Sequence, residues 1–158
     1  MRMREIIYIV ETALLDDDAI SIEQQFHMLY HGTSSKHVKD IIAVGLSAPN
    51  HWGSLDIARY FAKAECKESG GRPVIIAKPI SEFSQARFQA DDQMIDFPVL
   101  TDICGADHGA MEDEWEESEQ GWEDCLRIYE SVVYNAPVAV SRNDITRSPV
   151  WPLRHGAG

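Results

Sequence analysis

The stretch "LYHGTSSKHVKDIIAVGL", residues 29–46, decides how the rest of the chain is read. Leu29 and Tyr30 run as an extended apolar pair into His31, and Gly32 and the small hydroxyl residues Thr33, Ser34 and Ser35 follow. Val38, Ile41 and Ile42 then recur at helical spacing, with Ser34 or Ser35 placed to cap the helix they imply. Gly45 stands where a left-handed C-terminal cap is needed, and Leu46 behind it covers the helix end. A strand therefore ends at a His-Gly pair and a short helix follows. That pair is either turn chemistry or the floor of a ligand site.

Working outward, "SAPNHWGS" (47–54) reads as a loop or short extended piece whose last residue caps a second helix. Asp56 falls in the first turn of that helix, where a carboxylate suits the dipole. Leu55, Ala58, Ala62 and Cys66 share one face, and "ESGGR" ends it. "PVIIAKPI" (73–80) is apolar enough for a central strand. Before the key stretch, "EIIYIVE" (5–11) is β-branched and aromatic and predicts a strand, and "LLDDDAISIEQQF" (14–26) a turn and a short helix. Residues 81–110 are weakly patterned, and "FPVLTDICGADHGA" (97–110) reads as a structured loop. "MEDEWEESEQGWEDCLRIY" (111–129) reads as an acidic helix face anchored by Trp115, Trp122, Leu126 and Ile128. "SVVYNAPVAVS" (131–141) is one strand, or two broken at Asn135–Pro137, and "VWPL" (150–153) closes the chain.

The chain of 158 residues reads as one domain, 1–158, with its core over 25–150. Its 26 acidic and 14 basic residues give a formal net charge of -12. No basic patch offsets that charge, so nucleic-acid phosphates and anionic membranes are repelled. Cys66, Cys104 and Cys125 are scattered and odd in number, without zinc spacing, so no metal is expected. The opening is too polar for a secretory segment, and a reducing, cytoplasmic compartment is the expectation.

Three elements in order resemble the ADP-ribosyltransferase superfamily, of the diphtheria-toxin and poly(ADP-ribose) polymerase type. "LYHGTSSKHVKDIIAVGL" is similar to its first signature, and "HWGSLDIARYFA" to its second, an aromatic-x-Ser/Thr strand followed by a helix. "YESVVYNAPVAV" resembles the third, a glutamate opening an apolar strand. The resemblance implies an α+β fold, a split β-sandwich with helices packed around an NAD cleft. It implies transfer of ADP-ribose from NAD, as co-substrate, to a protein acceptor with release of nicotinamide. Glu130 would be the catalytic carboxylate. His31 would contact the adenosine ribose and Gly32 the carboxamide, with Thr33 and Ser34 shaping the pocket. Trp52 or Tyr60 would stack on the nicotinamide beside Ser54.

The chemistry suits those residue types. Nicotinamide loss passes through an oxocarbenium-like ribosyl cation, which a fixed carboxylate stabilises. A bare glycine lets backbone approach an amide closely, and an aromatic face attracts a cationic ring. Family members that modify arginine usually carry Glu or Gln two residues before the catalytic glutamate, and Ile128 there argues against an arginine acceptor. The acidic chain favours an acceptor with a basic surface, and its size suggests a bacterial or phage effector. Two alternatives remain. One is the RNA 2′-phosphotransferase branch of the fold, to which "HWGS" is also similar. The other is an inactive binding module or an acidic nucleic-acid mimic, which would not need Glu130.

Overall fold

The computed structural model describes residues 20–146. The strand expected over 5–11 and the closing 150–153 segment lie outside the described residues. The chain is α+β, as expected. In chain order the elements are α1 (Ile22–Gln25), β1 (Met28–Ser34), α2 (Val38–Val44), β2 (Asn50–Gly53), α3 (Leu55–Ser69) and β3 (Pro73–Pro79). There follow β4 (Phe88–Ala90), α4 (Asp92–Asp96), α5 (Val99–Cys104), α6 (His108–Glu117), α7 (Trp122–Tyr129), β5 (Ser131–Tyr134) and β6 (Ile145–Thr146).

The strands form one antiparallel sheet in the order β4-β5-β2-β1-β3-β6. The split β-sandwich expected from the resemblance implies two small sheets, whereas the described strands form a single one. The halves β4-β5-β2 and β1-β3-β6 are joined by one register pair, Tyr30↔Gly53. By contrast β1 pairs with β3 along its whole length, from Met28↔Pro79 to Ser34↔Pro73. Past Tyr30 the edge of β1 toward β2 is therefore unpaired. His31 and Gly32, expected at a strand end, lie in mid-strand on the β3 side and at a ladder end on the β2 side.

Alternation along the strands builds the core on both faces. Leu29, Trp52, Ile76 and Val132 pack with Phe83, Phe88 and Leu126 on one face, beneath Ile22 of α1 and Ile41 of α2. On the other face Ile75 meets Ala58 and Ala62 of α3. A third cluster gathers Ile57 with Met94, Val99, Leu100, Met111, Cys125 and Tyr129, and fastens α4–α7 to the sheet's end.

The closest approach is between α3 and β1. A Cβ on Gly32 would overlap the Ala58 carbonyl oxygen and lie 2.7 Å from the Ala62 nitrogen. The helix backbone has nowhere to yield, because it is what fills the space. Gly32→Ala is expected to lower unfolding free energy by about 2 kcal/mol, read from a urea transition. A stability equal to the parent would show that α3 can lift from β1 without loss.

Ser54 caps α3 as predicted, accepting the Ile57 N–H at 3.3 Å, with Asp56 in the first turn. Ser34 caps a 3-10 turn, Ser35–His37, that leads into α2. The loop expected over 97–110 instead contains α5 and the start of α6, and the acidic stretch breaks into α6 and α7. Gln120, with a φ of 61°, turns the chain between them. "SVVYNAPVAV" ends as a strand at Tyr134, and Val138 then bridges to Leu46.

Candidate active site

Where β1 and β2 part, a cleft of about 1450 Å³ opens. It is walled by the middle of β1, the end of α2, β2, one side of α3 and the α4–α5 segment. His31, Gly32, Thr33, Trp52 and Tyr60 line it, whereas Ser34, Ser54 and Glu130 do not.

His31 sits in the split itself. Its Nδ1–H donates to the His51 carbonyl at 2.7 Å, taking the place of a ladder bond between strands that no longer pair. A carbonyl can only accept, so Nδ1 carries the proton and Nε2 is left as an acceptor. Burial pushes the His31 pKa below its ordinary value, which keeps the ring neutral and Nε2 free to accept. The geometry suits a hydroxyl donor such as a ribose.

Gly32 faces α3 rather than open space, so its need for a bare Cα comes from helix packing. Its expected contact with a carboxamide is not what requires a glycine there. Thr33 is buried in the wall, and Ser34 is fully buried and donates to the Gly70 carbonyl, tying the end of β1 to the end of α3. Trp52 is 1% exposed, and its ring lies against Phe83 and His31. Its Nε1–H donates to Asn50 Oδ1 at 2.6 Å. The tryptophan belongs to the core, and of the two aromatic candidates Tyr60 is the one whose ring reaches solvent. The Tyr60 hydroxyl donates to Asp102 at 3.3 Å.

Glu130 is the C-terminal cap of α7, with φ 62° and ψ 31°. Glycine is the usual occupant of that left-handed position. The Glu130 carbonyl accepts the Ser54 N–H at 3.0 Å and so joins the α7–β5 corner to the start of α3. A Cβ on Gly53 would overlap that same carbonyl oxygen, so β2 closes on the corner only because Gly53 has none. The next residue, Ser131, lines the cleft.

Three further side chains of the cleft, Asp91, His51 and Ser131, were not among the expected site residues. Asp91, 2% exposed, follows β4 and sits at the cleft floor. Its Oδ2 accepts the Ser131 hydroxyl at 2.7 Å and the His51 Nδ1–H at 3.1 Å. Its Oδ1 accepts the Met94 N–H at 3.2 Å, capping α4. Burial alone would raise the Asp91 pKa, but the bonds from His51 and Ser131 outweigh it and hold the carboxyl below its ordinary value. In turn the bond to Asp91 raises the His51 pKa against the cost of burial. Behind them the Cys125 thiol is pushed up to about 12 by burial, so it stays protonated and is no nucleophile.

The lining is apolar and acidic. Among the described residues no lysine or arginine contributes to it, while Asp40, Glu65, Glu68, Asp92, Asp96 and Asp102 do. The exposed large apolar side chains of the described residues, Val44, Tyr60, Phe61 and Phe97, all lie on it. Among the described residues no helix is long and apolar enough to cross a membrane. None of their His, Cys, Asp and Glu side chains gather in threes as a metal ion would require. Comparison with protein-family models, curated proteins and solved structures returns no match for the chain.

Proposed function

We propose that the chain transfers ADP-ribose from NAD to a protein acceptor and releases nicotinamide, using the cleft between the two halves of an ADP-ribosyltransferase-like split sheet. The observation that carries this is the parting of β1 and β2 after a single pair, with the neutral His31 ring wedged in the gap. His31 Nε2 then accepts a hydroxyl of the adenosine ribose. Tyr60 offers its exposed face to the nicotinamide ring, which is cationic in NAD, and the Asp102 carboxylate beside the tyrosine favours that charge. Glu130 is the carboxylate that the resemblance assigns to the nicotinamide ribose; it stands behind the cleft lining, between Gly53 and Ser131, which do line it. Its backbone strain at a corner flanked by Gly53 and Ser131 is the kind of cost that function sustains.

The acidic lining and its exposed apolar side chains suit an acceptor with a basic, partly apolar surface. They argue more strongly against an RNA acceptor, which brings a phosphate with every nucleotide to a cleft that the described residues line without lysine or arginine. Labelling of the acceptor should therefore fall several-fold between roughly 50 and 300 mM salt, as charge steering is screened. Nicotinamide release in the absence of acceptor should change far less. Equal salt dependence of the two rates would remove the electrostatic account of acceptor choice.

The binding step is tested by calorimetry. NAD titrated into the purified chain should give a single saturating isotherm that ADP-ribose competes away. No heat and no competition at millimolar ligand would overturn the assignment.

A further inference from the structure

We propose that His51 is the cleft's contact for the diphosphate of the dinucleotide, a role that rests on the NAD assignment above. A dinucleotide brings two negative charges into a cavity that the described residues line with carboxylates and with no lysine or arginine. Among the described residues the groups that could face those charges are the histidines of the lining: His31, His37, His51 and His108.

Geometry separates them. His31 has its Nδ1–H committed to the His51 carbonyl, which leaves an acceptor toward the cleft and repels a phosphate oxygen. His37 bonds through Nε2 to Glu65, a half-exposed carboxylate that also accepts from Ser69, so that pair is a surface contact. No hydrogen bond fixes His108 among the described contacts. His51 differs in being anchored from behind. Its Nδ1–H donates to Asp91, which is itself locked by Ser131 and by the Met94 N–H, and its side chain remains 49% exposed. The ring is thus fixed with Nε2 directed away from the buried carboxylate.

The hydrogen bond to Asp91 raises the His51 pKa and so favours the charged imidazole, in which Nε2 is a donor. His31 then offers an acceptor and His51, whose main-chain carbonyl holds the His31 ring, offers a donor in its charged form. A 5′-nucleotide has the matching pair, since one methylene separates its ribose from its first phosphate. A hydroxyl donates to His31 and a phosphate oxygen accepts from His51.

The test compares three probes, ADP-ribose, adenosine and inorganic diphosphate, on the parent chain, His51→Gln and His51→Arg. Losing one charge-assisted hydrogen bond should weaken ADP-ribose by about ten- to a hundredfold in His51→Gln. Adenosine affinity should stay within about twofold of the parent, because the phosphate contact alone is removed. Diphosphate should bind the parent and not His51→Gln, and His51→Arg should restore part of the ADP-ribose affinity. Equal losses for ADP-ribose and adenosine, or none for either, would overturn the assignment, as would a parent chain that binds none of the three probes. Binding of diphosphate through His51 in a chain that never splits NAD would instead uphold the anion contact and sink the transferase assignment.

Discussion

Glu130→Gln is expected to slow nicotinamide release by roughly 10²–10³-fold, the usual cost of removing one charge-stabilising group from a transition state. The change keeps the size and shape, exchanges one acceptor oxygen for an N–H donor and removes the charge, so the urea midpoint should not move. Glu130 caps α7 in the left-handed region, and its main-chain carbonyl holds the Ser54 N–H. Both features survive the substitution. Glu130→Gly makes the complementary case. A residue with a Cβ in that region costs about 1 kcal/mol or more, which glycine partly recovers, so stability should rise by about 0.5 kcal/mol while turnover is lost. Opposite movement of stability and rate would mark Glu130 as a residue kept for chemistry. Full activity in either variant would reduce it to a helix cap.

Asp91→Ala is expected to lower unfolding free energy by about 3 kcal/mol, read from denaturant unfolding. It leaves the buried Ser131 hydroxyl without its acceptor and removes the cap of α4. The loss has a pH signature. Asp91 lies below its ordinary 3.8 in the folded chain, so its contribution is present above that value and fades as pH falls through the folded pKa. His51 lies above its ordinary 6.5, so its contribution is complete below 6.5 and fades as pH rises through the folded pKa. The stability gap between the parent and Asp91→Ala should be widest between those two ordinary values and narrow on either side. A gap that is flat across pH would show that Asp91 acts through packing alone.

Much of the frame was legible because its local signals agree. The capped helix after Ser54, the helix stopped at Gly45 and the apolar run at Pro73–Pro79 each combine periodicity with a start or stop residue. The α4–α5 segment was not legible. Its helices have 5 and 6 residues, too short to display a helical period. Asp91 was hidden for a different reason. Among 26 acidic residues nothing local distinguishes the one that tertiary structure buries. Its single local sign was its place as a cap, ahead of Met94.

Trp52 was weighed as a stacking ring because an aromatic at that position fits the family pattern. Alternation in the four residues "NHWG" places Asn50 and Trp52 on one face and His51 on the other, so the tryptophan is core and the histidine faces the cleft. That reading needed the strand boundaries, which "SAPNHWGS" alone did not supply. The unpaired edge of β1 was equally out of reach, since no residue of β1 or β2 signals where a ladder stops. His31 and Gly32 were singled out together, yet they serve different neighbours: the ring the parted strands, the bare Cα the helix above.

The most direct test is to incubate the purified chain and a cell lysate with NAD labelled separately in its nicotinamide and adenine rings. The account predicts that the nicotinamide label becomes free while the adenine label appears on lysate protein in matching amount. NAD recovered intact, with lysate present or absent, would contradict it and leave the cleft as a binding site without this chemistry.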